Sequence, residues 1–474
     1  MIRTKIVCTI GPATWDRTTL ERLVAAGMNV ARLNFSHGTH DEHAEVIRSV
    51  REIAADTGRP LAILQDLAGP KIRTGNLAAG PVVLEAGQEF VLTARDVPGD
   101  AEQVGLTYPE LPQNLQVGDR LLLADGAMEL RVVATSGSDV RTLVVNGGEL
   151  GSFKGINLPD RSVNAPILTD KDRADLDFGL EQRVDYVALS FVRNAHDVLM
   201  VRDILKRKNR EVPLVAKIEK HEALRNIDEI LELVDGLMVA RGDLGVEIPV
   251  ERVPGVQKML IRKANAAAKP VITATQMLRS MVDNPRPTRA EVTDVANAIL
   301  DGTDAVMLSE ETAVGHYPVE AVGVMVRVAA DIEQQFPYEE WTQDVPRHQH
   351  PSVEEAVAHG ACRLADEIRA SAIVTLTRSG STTRKVVKYR PRQRVMAVTP
   401  DETTYRRLAL VWGAQPLRIA AREAFEEIER DAIATSLEAG TVAPGDKLVI
   451  TAGMPFAARG TTNLIKVTTA EWTD

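Results

Sequence analysis

Cysteine is nearly missing from this chain: its 474 residues hold only two, Cys8 and Cys362. They lie far apart and outside any metal-ligand spacing, which excludes a disulfide scaffold or a cysteine zinc site and leaves free buried thiols in a reducing compartment. No apolar run approaches the ~18 residues of a membrane span, and the run at 6–10 is too short for a secretion signal's core. A cytoplasmic protein is expected. An excess of basic charge is missing too. With a formal net charge of -10 and a pI near 5.6, the chain is not expected to bind nucleic acid or anionic membranes, which need a clustered basic surface. No repeat of solenoid period stands out. What remains is ordinary globular composition, 44% hydrophobic and 26% charged, in a length that suits roughly two to four domains.

The apolar pattern predicts strands over 6–11, 29–36 and 61–67, with helices over 16–26 and 40–57 between them. Alternation of this kind means parallel strands with crossover helices. At Gly69-Pro70 the texture changes to short β-like runs (82–84, 89–93, 120–124, 129–134, 142–145) separated by turn signals such as Asn146-Gly147-Gly148. The alternation then resumes, with strands over 186–191, 214–219, 236–243, 270–275 and 305–309 and a last helix over 318–335. Eight strand–helix units predict a (β/α)8 barrel over 1–69 and 167–340, interrupted after its third strand by a small all-β lid over 70–166. Residues 336–351 read as a polar linker. The segment 341–474 again alternates, with strands over 372–377, 394–399, 415–419, 447–452 and 464–468, and reads as an open α/β domain.

Active groups of such barrels gather where the strands end, and here those ends are polar. Arg32, Asn34 and Ser36 alternate along the second strand, and Asp66 ends the third. Lys217 and Glu219 close the fifth, two apart and so on one face. Arg241 and Asp243 are expected to do the same at the end of the sixth. Gly242 and Gly245 allow a tight turn that frees amides to meet an anion. Thr273 and Thr275 share a face of the seventh strand, and Ser309 ends the eighth. Glu219 and Asp243 are hard oxygen donors suited to Mg2+ or Mn2+, though each could simply neutralise a neighbouring cation. Lys217 could neutralise a transferring phosphoryl group or an enolate, and Arg32 and Arg73 could recognise phosphate. These parts suit phosphoryl transfer. A metal-dependent lyase or aldolase acting on pyruvate or phosphoenolpyruvate would use a similar set, with no need for the lid or the arginines. A catalytically silent barrel would have to lack an essential group.

Six ordered motifs carry a resemblance: NFSHG at 34–38, GPKIRTG at 69–75, AKIE at 216–219, VARGDLGVEIP at 239–249, ATQML at 274–278 and PRPTRAEVTDVANA at 285–298. Over essentially its whole length the chain resembles the pyruvate kinase family. The resemblance implies transfer of the phosphoryl group of phosphoenolpyruvate to ADP, giving pyruvate and ATP. It implies a divalent ion on Glu219 and Asp243, the substrate carboxylate at the amides around Ala240, Arg241, Gly242 and Asp243 with Ser309 nearby, and Lys217 on the phosphoryl and enolate charge. Thr275 would lie near the face that receives the proton. Arg32, Asn34 and His37 would border the nucleotide phosphates, Arg73 would help on the transferred group, and the inserted domain would close over the site.

The departures from the family matter as well. Many members carry Thr and Glu at the positions of Leu67 and Lys71, and bind potassium with Asn34, Ser36, Asp66 and that threonine's carbonyl. An ammonium at Lys71 reverses the local charge and is expected to supply the cation's charge at that locus, making potassium dispensable. Ala68, Asn194 and Val314 stand where relatives often have Lys, which bears on nucleotide affinity, and Glu310 stands where they often have Gly. In the last domain, Thr377, Ser379, Gly380, Ser381 and Thr382 follow a strand and open a helix, where their hydroxyls and amides could cradle a phosphate. A helix cap would explain the serines equally well. Relatives bind phosphorylated sugars or nucleotides there and assemble as homotetramers, so an effector and a homotetramer are expected.

Overall fold

The computed structural model describes residues 2–159, 166–344, 351–454 and 461–472. Eight strands, Lys5–Ile10, Val30–Asn34, Ala62–Asp66, Tyr186–Leu189, Leu214–Ile218, Gly236–Ala240, Val271–Ala274 and Ala305–Leu308, pair in chain order. All eight are parallel, and the last closes on the first, with Lys5 opposite Ala305. The expected barrel is therefore present. Small or slender side chains such as Val7, Ala62, Ala188 and Ala305 fill its interior, while Leu20, Ile53, Leu260 and their neighbours pack the outer faces of the strands against the helices. Capping starts those helices where the sequence places them. Asp16 accepts from the Thr19 amide, and reciprocal Thr–acid boxes open the helices His40–Thr57, Asp170–Glu181 and Arg289–Leu300.

After the third strand the chain leaves the barrel through Gly69, at φ 69°. A Cβ there would lie 2.9 Å from that of Ser190, so only glycine fits the exit. A six-stranded sheet and a two-stranded ribbon follow, packed around Phe90, Leu92, Leu121 and Val144. This insert is not purely β: Leu111–Asn114 forms a single helical turn. Its return strand Ile156–Asn157 was too short to be legible.

The C-terminal sheet runs Ala414–Arg418, Arg394–Thr399, Ala372–Leu376, Lys447–Gly453 and Thr462–Thr469 in space, the last strand antiparallel. The expected linker departs from its reading. Tyr338–Asp344 is helical, and Phe336, Tyr338 and Trp341 pack on the C-terminal core near Trp412. Aromatic burial overrides the polar, proline-flanked pattern, and the linker's residues 345–350 lie outside the described segments. Among the described residues no helix is long and apolar enough to cross a membrane.

Candidate active site

Six side chains, on or just after five of the strands, meet at the carboxyl end of the barrel. The Lys217 ammonium lies 2.9 Å from Glu219 Oε1 and 3.3 Å from Asp66 Oδ1, and donates to Ser190 Oγ at 2.7 Å. Asp66 Oδ2 accepts from Arg32 Nε at 2.7 Å, and Arg32 Nη1 donates to Thr9 Oγ1 at 2.8 Å. Asp66 and Glu219 are each 1% exposed, so these charges are almost wholly withdrawn from water. Burial alone would push the Asp66 carboxyl up, but Lys217 and Arg32 outweigh it and hold the group below its ordinary range. Burial would likewise push the Lys217 ammonium down. Asp66 and Glu219 overcome this and hold it charged.

Glu219 is different. Burial pushes its carboxyl up and the nearby Asp243 charge adds to that, against Lys217 and a 2.8 Å hydrogen bond from the Phe191 amide. Two carboxylates near enough for the charge of one to raise the other are hard oxygen donors that fit a divalent cation. The one cation in contact with Asp243 among the described residues is the Lys71 ammonium, 3.3 Å from Oδ1 and 3.5 Å from Asp125 of the insert.

The sixth strand stops at Ala240 and Arg241–Glu247 is helical, so Arg241 and Asp243 do not share a strand face as expected. Arg241 borders the cleft, but its guanidinium is engaged by protein groups. Its guanidinium pairs with Asp294 at 2.6 Å and donates to the carbonyls of Ala274 and Thr275. Those bonds clamp the end of the seventh strand, where Thr275 has φ 76° and Gln276 φ 57°. A β-branched residue at positive φ is strained, and the clamp is what sustains it. A Cβ on Gly242 would come within 2.8 Å of Thr275 Cγ2, so that glycine lets the two segments touch. Between them opens a cleft of about 440 Å³ bordered by Lys71, Asp243, Thr275, Ser309 and Arg279.

With this geometry in view, comparison with known proteins is decisive. The family model "Pyruvate kinase, barrel domain" matches residues 1–322, and "Pyruvate kinase, alpha/beta domain" matches 355–468. The chain belongs to the pyruvate kinase family. It is 48% identical to a pyruvate kinase of Staphylococcus epidermidis and 49% identical to one of Geobacillus stearothermophilus. Each alignment covers 98% of this chain and 80% of the relative. A crystal structure of a pyruvate kinase from Cryptosporidium parvum superposes with a TM-score of 0.93 at 39% identity, covering 99% of this chain and 96% of that one.

Against the residues singled out for a pyruvate kinase, the structure brings Arg32, Asp66, Lys217 and Glu219 into one buried cluster, with Asp243, Thr275 and Ser309 along the adjoining cleft. Others stand apart. Arg73 lies on the insert, its guanidinium donating to the Phe153 carbonyl at 3.1 Å. His37 and Ser36 are exposed, and the Asn34 side chain accepts from the Ser36 amide at 3.1 Å.

The placement of Lys71 corrects an expectation. Its ammonium contacts Asp243 and Asp125, and it is Arg32 and Lys217 that neutralise Asp66. The Leu67 carbonyl accepts from Ser190 Oγ at 2.8 Å. In the C-terminal loop neither serine is a helix cap. Gly380 caps Ser381–Val387 at φ 76° without a side-chain bond, its amide donates to Thr377 Oγ1, and Thr382 Oγ1 lies 2.9 Å from Thr462 Oγ1. Sequence reasoning missed Ser190 and Thr9. Ser190 follows the fourth strand two residues after Ala188, which lines the barrel, and that spacing was the available signal.

Proposed function

We propose that this phosphotransferase of the pyruvate kinase family moves the phosphoryl group of phosphoenolpyruvate to ADP with Mg2+ and without potassium. The observation that carries the reading is the Lys217 ammonium held between Asp66 and Glu219 beside the cleft that Asp243 and Thr275 border. In the reaction the bond from phosphorus to the enol oxygen breaks, a bond from phosphorus to a terminal β-phosphate oxygen of ADP forms, and the enolate takes a proton at its terminal carbon. Lys217, kept charged by two carboxylates, neutralises the moving phosphoryl group and the enolate oxygen. Glu219 and Asp243 would hold the divalent ion, which when bound supplies charge neutralisation to the substrate's oxygens. The amides from Ala240 to Asp243 receive the carboxylate, with Ser309 across the cleft, and Thr275 orders the proton donor through its hydroxyl. Arg32, Asn34 and His37 border the nucleotide, and Arg73 approaches when the insert closes and excludes water.

Potassium is dispensable on this reading because the site already carries fixed ammonium charge. Arg32 and Lys217 neutralise Asp66, Ser190 engages the Leu67 carbonyl, and Lys71 brings a further positive charge to the mouth. The test is ATP formation from phosphoenolpyruvate and ADP with Mg2+, in potassium and in a bulky inert cation at equal ionic strength. Equal rates are expected. A rise of more than about tenfold with potassium would overturn the cation reading and leave the phosphotransferase, whereas no ATP in either would overturn both.

We further propose a cytoplasmic homotetramer with a phosphorylated effector at Thr377, Ser379, Gly380, Ser381 and Thr382. Two free buried thiols suit a reducing compartment. The strand Thr462–Thr469 is bonded on one side only among the described residues, which suits association through that edge. Light scattering giving a monomer at micromolar concentration would refute the assembly.

A further inference from the structure

One turn beyond Asp243, on the same helical face, Glu247 is buried, with its side chain wholly out of solvent. Its Oε1 accepts from Lys220 Nζ at 2.7 Å and from Asn157 Nδ2 at 3.2 Å, and its Oε2 lies 3.2 Å from His221 Nδ1. Burial would raise this carboxyl, but His221, Lys220 and Asn157 together hold it below its ordinary range. The three partners come from two other places. Lys220 and His221 immediately follow Glu219, and Asn157 lies on the strand by which the insert returns towards the barrel. None of these residues touches the cleft itself.

Glu219 leaves the end of the fifth strand and Asp243 sits in the helix after the sixth. The last paired residues of those strands, Ile218 and Val239, precede both. Strand pairing therefore does not set the distance between the two carboxylates. The Lys220–Glu247 ion pair, at 2.7 Å, joins the residue next to Glu219 to the residue one turn past Asp243 beyond the last of that pairing.

We infer that Glu247 is a positioning residue for the divalent ion, holding Asp243 in register with Glu219 through Lys220. The inference rests on the reading of Glu219 and Asp243 as the ion's ligands. Mg2+ and Mn2+ demand near-ideal oxygen geometry, and groups that orient the ligands typically govern metal affinity as strongly as the ligands' own environment. Glu247, Glu222 and His221 also lie close enough together to ligate a metal themselves. The Lys220 ammonium against Glu247 argues that this cluster is a self-neutralised ionic network instead. Asn157 extends the same network to the insert, so the position of the return strand is coupled to the helix that carries Asp243.

The experiment is direct titration of Mn2+ into the full-length protein without substrate, read by water proton relaxation, for wild type, Asp243→Asn, Glu247→Gln, Lys220→Met and the double variant. Circular dichroism and thermal unfolding establish that each is folded. Asp243→Asn is expected to abolish the binding. Glu247→Gln and Lys220→Met are each expected to weaken it about 10–100-fold, and the double variant no more than the worse single, because one interaction is being removed twice. Should Glu247→Gln fail to fold, Lys220→Met, which leaves Glu247 its His221 and Asn157 contacts, decides alone. Full loss in Asp243→Asn with affinity within about twofold of wild type in the folded Glu247→Gln or Lys220→Met would overturn the positioning role only. Undiminished binding in Asp243→Asn, or none in wild type, would overturn the metal reading on which it rests.

Discussion

At the scale of single residues, the buried cluster makes opposite demands on binding and on chemistry. Lys217→Met should lower kcat by about 10²–10³-fold or more, because a charge aimed at the developing anion is lost. Mn2+ binding should persist in the same protein, measured by proton relaxation, since neither carboxylate is removed. Thr275 holds strain that a glycine would not. Thr275→Gly should leave the melting temperature unchanged or raise stability by up to about 1 kcal/mol while lowering kcat, and a destabilised variant with full activity would contradict this. Far from the site, burial lowers the Lys5 ammonium to about 8, with Glu333 and Asp304 resisting. Because the folded state loses that proton earlier than the unfolded chain, stability should rise with pH between about 8 and 10.5, by as much as about 3 kcal/mol. Denaturant unfolding of wild type and Lys5→Met across that window checks it. A difference that is flat with pH would refute the account.

At the scale of elements, the helix Asp170–Glu181 shows how an interrupted barrel keeps its closure. Asp172 accepts from the amides of Thr169 and Gly69, so the residue where the chain leaves for the insert is tied to the helix that follows its return. Asp172→Ala should cost on the order of 2 kcal/mol, measured by urea unfolding, because it strips the capping box and leaves the half-buried Gly69 amide without its partner. The capped helices Arg17–Ala26 and His40–Thr57 were legible in the sequence, since a cap is a local event. The segment after Ala240 was not. Apolar alternation carried the expected strand on to Asp243, yet Arg241 finds Asp294 and two carbonyls across the seventh strand, and a helical turn is the path that lets it reach them. Spacing from Ala188 placed Ser190 on the inner face, but its partner was not legible, because that is the Lys217 side chain of a neighbouring strand.

At the scale of the whole molecule, the C-terminal domain seals the amino end of the barrel. Ala409 and Leu410 join the apolar cluster inside it, and Tyr186 donates its hydroxyl to the Arg407 carbonyl. Arg390, 1% exposed, crosses to Asp304, Asn265 and the Gly302 carbonyl of the barrel, with Trp412 4.4 Å from its guanidinium. Arg390→Met should destabilise the protein by roughly 3–5 kcal/mol, since it strands the buried Asp304 carboxylate. Calorimetry should show the barrel and C-terminal transitions separating. A single unshifted transition would mean that the interface rests on apolar contact alone.

The sequence by itself determined the eight-unit alternation, its interruption after the third strand and the kinds of donor available, because hydrophobic period, helix caps and glycine turns act over a few neighbouring residues. It also determined that Lys217 and Glu219 lie near one another, two positions apart at a strand's end. Only the tertiary structure decided which charges meet. Barrel closure brings Arg32, Asp66, Ser190 and Lys217 together from four strands, and the packing of the insert sends Lys71 to Asp243 instead of Asp66. Period decides which face of a strand a side chain takes, but the partner on that face is chosen by how distant segments close in space.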